Sequence, residues 1–300
     1  MSRTMKHFFA NAAVLAAITV APAAAHATTV TFPNFADTTG LTLVGSTATA
    51  VTGDGTVLRL TPAVDGESGA AYSTTPITLG AKDTFSTTFQ FRITDPGGIA
   101  PADGITFVLA ASPTGLGTGG GDLGYGGVPN SVAVEFDTFD NGGADGDSSN
   151  HVAIDVGGHI DDGTALGDAD LTNLYGVSSC GFGFSKGCLS NGDLWTATIG
   201  YNGADLTVKV FDPAEGTTFT AISAVALPVA TDLGTSSAFA GFTAGTGAGN
   251  ENQDIVNWSF SNTLSLAGVP EPATWAMMLM GFGGMGAAMR TRRKALAASA

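Results

Sequence analysis

The chain has 300 residues, with 26 acidic and 11 basic side chains, which gives a formal charge of −15 at pH 7. Six of the basic residues lie near the two ends, so residues 28–265 carry five basic and 25 acidic residues, a formal charge of −20. A surface of this charge repels phosphate backbones and anionic membranes and attracts cations, and nucleic acid is therefore excluded as a partner.

The N-terminus has the pattern of an export signal. Arg3 and Lys6 precede an apolar run over residues 8–20, and the small-x-small triplet Ala25-His26-Ala27 follows it. Basic, apolar and small residues in this order are typical of a cleaved secretory signal peptide. We predict that residues 1–27 are removed and that the chain leaves the cytoplasm.

The central part of the chain has the pattern of an all-β domain. Short β-rich runs alternate with clusters of Gly, Asp, Asn and Thr, and no segment has a helical period. The candidate strands are 29–32, 41–51, 56–61, 84–94, 104–110, 131–139, 151–156, 194–201, 204–211, 218–226, 237–244 and 254–261. The 43 glycines would also suit a disordered matrix protein, but regular apolar strands between them favour a packed core. We predict one jelly-roll β-sandwich over residues 28–265.

A segment rich in metal-ligating side chains covers residues 131–156. Val134 and Phe136 alternate with Glu135 and Asp137, so a strand here presents both carboxylates on one face. Two acids side by side repel each other unless a cation or protons neutralise them. Further candidate ligands follow in a Gly-rich loop: Asn141, Asp145, Asp147 and His151. Oxygen ligands with one imidazole nitrogen predict a calcium site beside a transition-metal site, whereas the spacing and helices of an EF-hand are missing.

The two cysteines, Cys180 and Cys188, are separated by a loop rich in Gly and Phe. Periplasm and exterior are oxidising, so an exported chain is expected to join them in a local disulfide.

The C-terminus carries a second apolar segment. Pro270-Glu271-Pro272 is followed by Trp275-Ala276, and residues 275–289 are uncharged up to a cluster of basic residues. The cluster consists of Arg290, Arg292, Arg293 and Lys294. This order resembles the PEP-CTERM sorting signals of Gram-negative bacteria, here over residues 269–294. The resemblance implies an inner-membrane intermediate, recognition by an exosortase-type transpeptidase, and a final place at the cell surface or outside the cell. The alternative is a plain tail anchor, although 15 residues are few for a spanning helix.

Four stretches of the central domain resemble the legume-lectin (L-type lectin) family. They are ADGITFVLA (102–110), GGGDLGYGG (119–127), VAVEFDTFDN to HVAIDV (132–156), and AGFTAGTGAGNENQDIVNWSFS (240–261). Their order along the chain agrees with the family. The resemblance implies a concanavalin-like jelly roll and calcium-dependent binding of a glycan, and it also implies a homodimer, for which the sequence marks no sheet edge.

The resemblance assigns the metal ligands residue by residue. Glu135 and His151 would bind a transition metal such as Mn²⁺, and Asp137 would bridge it to calcium. The calcium ligands would be the Phe139 carbonyl, the Asn141 side chain and Asp145, with Asp147 as the substitute for Asp145. Asp161 stands where the family commonly has a serine that holds a metal-bound water, so calcium retained without the transition metal is an alternative.

The resemblance also assigns the sugar site. Family members hold the key aspartate after a cis peptide bond, here Ala102–Asp103, and Asp103 would accept hydrogen bonds from two sugar hydroxyls. Backbone and amide N–H groups of Gly121 and Asn141 would donate to the sugar. The Phe139 ring would stack on the sugar, unless it is a core residue of its strand. The loop that contains Gly247 and Ala248 would complete a shallow pocket.

Two other functions are alternatives for a β-sandwich with these residues. Glycoside hydrolases of the laminarinase type share the sandwich and need a second glutamate beside Glu135, but Phe139 and Asp140 occupy the positions where it would stand. The remaining glutamates, Glu67, Glu215 and Glu251, are not placed to complete the pair, so no enzymatic activity is predicted. The other alternative is a structural biofilm matrix protein in which calcium only stabilises the sandwich. The cell's own exopolysaccharide would be a partner for either a lectin or a matrix protein.

Overall fold

The computed structural model describes residues 27–144, 147–160, 166–183, 186–213 and 216–263, all within a central unit, His26–Ser265. The predicted signal peptide, apart from Ala27, and the predicted sorting segment 269–294 lie outside the described residues. The short apolar helix expected over residues 275–289 therefore lies outside them too. Among the described residues, no helix has the length and apolar character needed to cross a membrane.

The described part of the chain contains sixteen strands, two short α-helices and two 3₁₀ helices of three residues each, Gly120–Asp122 and Gly142–Ala144. The first eight strands are β1 (Thr29–Phe32), β2 (Leu41–Gly45), β3 (Ala48–Thr52), β4 (Gly55–Thr61), β5 (Ser68–Ser73), β6 (Ile77–Thr78), β7 (Thr84–Gly98) and β8 (Gly104–Ala110). The others are β9 (Ser131–Asp137), β10 (His151–Val156), β11 (Asp168–Asp170), β12 (Trp195–Tyr201), β13 (Asp205–Asp212), β14 (Thr217–Ala226), β15 (Ser237–Gly245) and β16 (Gly249–Thr263). The α-helices are α1 (Leu171–Tyr175) and α2 (Val229–Asp232).

The strands form two antiparallel sheets of eight strands each. The back sheet has the order β14-β13-β12-β7-β16-β4-β3, with β1 also paired to β16. The front sheet has the order β11-β10-β9-β8-β15-β5-β2, with β6 also paired to β15. Neighbours within a sheet are often distant in sequence, as in a jelly roll. The prediction of an all-β jelly-roll sandwich is confirmed.

Aromatic side chains from both sheets fill the space between them. Phe89 and Phe91 of the back sheet and Phe107, Phe136 and Phe242 of the front sheet are all buried. The rings of Phe89 and Phe242 meet nearly edge to face with centroids 4.9 Å apart, and those of Phe91 and Phe136 lie 5.4 Å apart. Alternation along β7 and β9 places these rings on the inner face, so the outward side chains of β9 remain available for a site.

The predicted strand 41–51 is two strands in different sheets. The chain leaves the front sheet at Gly45, whose φ of +67° suits glycine, and enters the back sheet at Ala48, after two intervening residues. The Ser46 hydroxyl lies 3.2 Å from the Leu60 carbonyl in β4 and 3.0 Å from the Ser68 carbonyl in β5. The uninterrupted apolar and threonine pattern hides this change of sheet, because both halves suit a strand equally well.

Strand β5 is absent from the sequence-based prediction. It lies between β2 and β15, and Ala70 and Ala71 on its two faces are both buried. A Cβ at Gly69 would lie 2.0 Å from the Leu60 carbonyl oxygen, so the close approach of β4 requires glycine there. Because β5 has no charged residue on either buried face, it does not alternate in polarity, and its small residues resemble a turn in the sequence.

Candidate metal and ligand site

Strand register brings the predicted metal ligands to one end of the front sheet. Asp137 at the end of β9 pairs with Gly104 of β8 on one side and with His151 of β10 on the other. Glu135 lies two residues earlier on β9, so its side chain shares the outer face with that of Asp137. The end of β9 and the starts of β8 and β10 therefore meet where the loops begin.

Glu135, Asp137 and His151 form a buried cluster. Their ligand atoms all lie within 4.8 Å of one another, and each residue is at most 1% exposed. His151 Nε2 lies 3.2 Å from Glu135 Oε1, and Nδ1 lies 3.3 Å from the Ser148 carbonyl oxygen. A carbonyl only accepts, so this contact favours a proton on Nδ1 and leaves the Nε2 lone pair for a metal.

The donor set of this cluster suits a divalent cation. Two carboxylates and one imidazole carry net negative charge whether or not His151 is protonated, and buried charge of one sign is costly without a counterion. Oxygen ligands with one imidazole nitrogen are characteristic of Mn²⁺ or a similar transition metal beside calcium. The chemistry of Glu135, Asp137 and His151 thus fits the metals that the sequence predicts.

The loop after β9 places the remaining candidate ligands near the surface. The Phe139 backbone N–H donates to Asp137 Oδ1 at 2.7 Å, which fixes the start of the loop. Asn141 and Asp147 are exposed, and Asp147 has a φ of +60°. Asp145 lies outside the described residues, so Asp145 with Asp147 as its substitute stays a prediction. Phe139 is half-buried and is not a core residue, which leaves part of its surface accessible to a ligand.

Asp103 lies directly beside the metal cluster. The Ala102–Asp103 peptide bond is cis, as the resemblance implied. The Asp103 N–H donates to the Gly245 carbonyl at 3.1 Å, and its own carbonyl accepts from the Thr138 N–H at 2.9 Å. Backbone hydrogen bonds thus hold Asp103 between the metal loop and the end of β15.

The other predicted sugar-binding residues surround Asp103 and Asn141. A Cβ at Gly121 would lie 2.6 Å from Asn141 Oδ1, so the Gly121 backbone contacts the Asn141 amide closely. A Cβ at Gly247 would lie 3.2 Å from Asp103 Oδ2. The Ala248 carbonyl accepts from the Ile99 N–H at 3.1 Å, which fixes the same loop from its other side. The four segments that resemble the legume-lectin family in sequence are therefore neighbours in the structure.

Two polar residues of β16 adjoin the site and were not predicted as part of it. Glu251 is fully buried, and its Oε1 accepts from the Thr138 hydroxyl at 2.6 Å and from Gln253 Nε2 at 3.2 Å. Burial raises the pKa of Glu251 to about 7. The sequence signal was the run of polar residues 250–254 at the start of an otherwise buried strand, which does not alternate as a surface strand would.

The disulfide is present and supports the segment before His151. Cys180 and Cys188 are bonded, as predicted. The buried Asn150 donates through Nδ2 to the Gly187 carbonyl at 2.9 Å and accepts from the Leu189 N–H at 2.8 Å. The disulfide loop thereby fixes the backbone from which His151 enters the metal cluster.

Several known proteins that are similar to this chain in sequence and in fold are lectins. A pea (Pisum sativum) lectin is 31% identical over 227 residues, which covers 69% of this chain and 74% of the pea protein. The crystal structure of basic winged bean lectin with Tn-antigen aligns with a TM-score of 0.61 at 28% identity, over 80% of this chain and all of that one. The lectin from Bauhinia forficata in complex with GalNAc aligns with a TM-score of 0.61 at 26% identity, over 79% and 99% of the two chains.

Family models agree with these similarities. The legume lectin domain matches residues 27–273, and the PEP-CTERM protein-sorting motif matches residues 268–294. Legume lectins are non-catalytic carbohydrate-binding proteins, which confirms that this chain is not an enzyme and sets aside the hydrolase alternative. Because the lectin domain matches most of the chain and its segments fold around one site, the chain belongs to the legume lectin family and ends in a PEP-CTERM sorting motif.

Proposed function

We propose that this protein is a calcium-dependent glycan-binding module that is exported to the cell surface or the extracellular matrix. The observation that carries the proposal is the convergence of Asp103, Gly121 and Asn141 beside the buried Glu135, Asp137 and His151. A small number of convergent polar groups beside a charged or metal-ligating cluster is the usual polar composition of a ligand site.

In the proposed site, the metals organise the loop that presents the sugar ligands. Glu135 and His151 would hold Mn²⁺ or another transition metal, and Asp137 would be shared with calcium. The remaining calcium ligands would be the Phe139 carbonyl, the Asn141 side chain and Asp145 or Asp147. Bound calcium would supply charge neutralisation and would order the loop, since Asp137 already accepts from the Phe139 N–H.

The sugar would be held by a small set of hydrogen bonds. Asp103 accepts from two hydroxyls, while the Gly121 N–H and the Asn141 amide donate, so the set suits a vicinal diol. Phe139 is half-buried and would stack on the apolar face of the ring. Gly247 and Ala248 would form the wall, and their small side chains leave the pocket shallow.

The two ends of the chain support the proposed location. The secretory pattern of residues 1–27 and the sorting motif at residues 268–294 would give an inner-membrane intermediate that an exosortase-type enzyme processes. The proposed partner is a glycan or exopolysaccharide outside the cell. The homodimer that the resemblance implies is part of the same proposal.

A structural matrix protein is the second candidate function. It would use the same metal cluster to stabilise the sandwich and would bind no sugar. The strong negative charge of residues 28–265 is compatible with both functions, because it favours cation uptake in either case.

A glycan array separates the two candidates. The full chain is applied with calcium, with a chelator, and as Asp103→Asn, on an array that includes GalNAc and galactosides, the sugars named for similar structures. Asp37→Asn is the matched control, because Asp37 is exposed and accepts a backbone N–H in a turn that asparagine preserves. We expect signal only for the wild type and the control with calcium. Signal that persists in the chelator and in Asp103→Asn would contradict the proposed pocket, and the absence of any glycan signal would favour the matrix role.

A further inference from the structure

We propose that Glu251 is a positioning residue of the ligand site, which links the metal loop at Thr138 to the Ala102–Asp103 segment through Gln253. The inference rests on the proposed function and adds to it a residue that touches neither metal nor sugar. In this role, Glu251 couples the order of the loop after β9 to the order of the segment that contains Asp103.

Thr138 is the connection on the metal side. It lies between Asp137 and Phe139, and its backbone N–H donates to the Asp103 carbonyl at 2.9 Å. Its hydroxyl donates to Glu251 Oε1 at 2.6 Å. The backbone hydrogen bond fixes the position of the Thr138 N–H, and the side-chain hydrogen bond also fixes the orientation of the residue. Rotation of Thr138 would therefore break a buried hydrogen bond, which costs about 1–3 kcal/mol.

Gln253 is the connection on the sugar side. Its Nε2 lies 3.2 Å from Glu251 Oε1, 3.2 Å from the Gly245 carbonyl and 3.5 Å from the Ala102 carbonyl. Its Oε1 accepts from the Thr61 hydroxyl at 2.5 Å, which fixes the orientation of the amide. Gly245 in turn accepts from the Asp103 N–H. The two residues of β16 thus hold both sides of the segment that carries Asp103.

The environment of Glu251 favours a positioning role over simple packing. Glu251 and Gln253 are both fully buried, although an apolar side chain would fill a core strand at lower cost. Glu251 Oε2 has no hydrogen-bond partner among the described residues, so the carboxyl is only partly compensated. Burial, followed by the nearby charge of Asp103, raises its pKa to about 7. Buried polar groups of this kind fix one arrangement of their neighbours at the expense of stability.

Hydrogen exchange with calcium as the only ligand tests the inference. The full chain is compared with Glu251→Ala and Glu251→Gln, with and without calcium, and exchange is followed in peptides that cover residues 100–106 and 138–144. In the wild type, calcium should slow exchange in both peptides. In Glu251→Ala, the calcium-dependent slowing of residues 100–106 should fall about tenfold, within the usual range of coupling between sites. Glu251→Gln keeps the acceptor oxygen and should restore the slowing.

A matched control and a second variant make the outcome decisive. Asp232→Asn alters another acid whose pKa is raised by burial, on α2 and away from both loops, and should leave the calcium response unchanged. If Glu251→Ala does not fold, Thr138→Val removes the same hydrogen bond and should lose the slowing in residues 100–106. An unchanged calcium response in Glu251→Ala or Thr138→Val, or a Glu251→Gln variant that behaves like Glu251→Ala, would overturn the inference alone. A wild type that neither responds to calcium nor binds a glycan would overturn the proposed function as well.

Discussion

The backbone N–H of Thr138 and the carbonyl of Asp103 are 2.9 Å apart, so one hydrogen bond joins the metal loop to the acid proposed to bind sugar. The bond extends the register of β8 and β9, in which Gly104 pairs with Asp137. Displacement of Thr138 would therefore strain or break a hydrogen bond to Asp103. In the proposed site this bond gives a physical reason for a calcium requirement in sugar binding, because calcium would fix the loop that contains one partner of the bond.

Divalent cations are expected to stabilise the folded chain. Glu135 and Asp137 are fully buried on one strand face, and a cation that neutralises them binds the folded state only. At a calcium concentration 100 times the dissociation constant, the free energy of unfolding should rise by about 2.7 kcal/mol, seen as a higher Tm in calorimetry. Sodium chloride at equal ionic strength is the control for screening of the negative surface. Equal Tm values in the two salts, or an undiminished calcium effect in Asp137→Asn, would contradict the site.

The free energy of unfolding should fall with rising pH because of Glu251. Its pKa is raised from 4.5 to about 7 in the folded state, so between these values the folded protein keeps a proton that the unfolded chain releases. The loss between pH 4.5 and pH 7 should be on the order of 3 kcal/mol and should stop above pH 7. Urea unfolding of the wild type and of Glu251→Gln in chelator measures it. In Glu251→Gln, the free energy of unfolding should lack this decrease between pH 4.5 and pH 7. Parallel plots of the free energy of unfolding against pH for the two proteins would show that the Glu251 carboxyl keeps its ordinary pKa.

Close contact at Gly121 should be necessary for glycan binding. An added methyl group would lie 2.6 Å from Asn141 Oδ1 and would displace the amide, so Gly121→Ala should weaken glycan binding about tenfold, or about 1.4 kcal/mol. Gly143→Ala is the matched control, since a Cβ there meets no atom within 4 Å. Titration of an array-identified glycan in calcium compares the two variants. Equal glycan affinities of Gly121→Ala and Gly143→Ala would show that the Asn141 amide does not bind the sugar.

Loss of the disulfide should weaken the metal site as well as the fold. Cys180 and Cys188 close a loop whose Gly187 carbonyl and Leu189 N–H both bind the Asn150 side chain. The double variant Cys180→Ser/Cys188→Ser should unfold about 2–3 kcal/mol more easily, as expected for a short disulfide loop. It should also bind Mn²⁺ more weakly, because Asn150 precedes His151.

Calorimetry and Mn²⁺ titration well below the Tm separate these two effects. Asn150→Asp with the disulfide intact is the companion variant, because it removes the donor to Gly187 and keeps the acceptor for Leu189. Mn²⁺ affinity that survives both changes would mean that the disulfide loop supports the fold without influencing His151.

Strand pattern and local motifs were sufficient to predict the sandwich and the grouping of Glu135, Asp137 and His151. The alternation of Val134 and Phe136 with Glu135 and Asp137 placed the carboxylates on the outer face of β9, and the structure has them there beside His151. Such a pattern is readable because apolar side chains on one face alternate with carboxylates on the other, although both faces of β9 are buried. Strand β5 lacks this alternation, since small and apolar residues occupy both of its buried faces.

Glu251 shows what sequence patterns miss. It stands 113 residues from Thr138 in the chain, and only the pairing of β16 within the back sheet and the path of the loops bring the two side chains together. In the sequence, Glu251 stands out only as a possible second glutamate for hydrolysis, and its position does not suit that role. A buried polar network depends on distances between sheets, which strand periodicity does not contain.

Ser46 and Thr47 are all that separates β2 in one sheet from β3 in the other. The three steps from Gly45 to Ala48 span about 10–11 Å when fully extended, which is close to the spacing of about 10 Å between two stacked sheets. Neither layer can slide far along the other at this corner without breaking the contacts of Ser46 with Leu60 and Ser68. The loops that contain Asp103 and Asn141 thus extend from two sheets that resist sliding past each other. A cation that binds there would need to order only the loops and not the sheets.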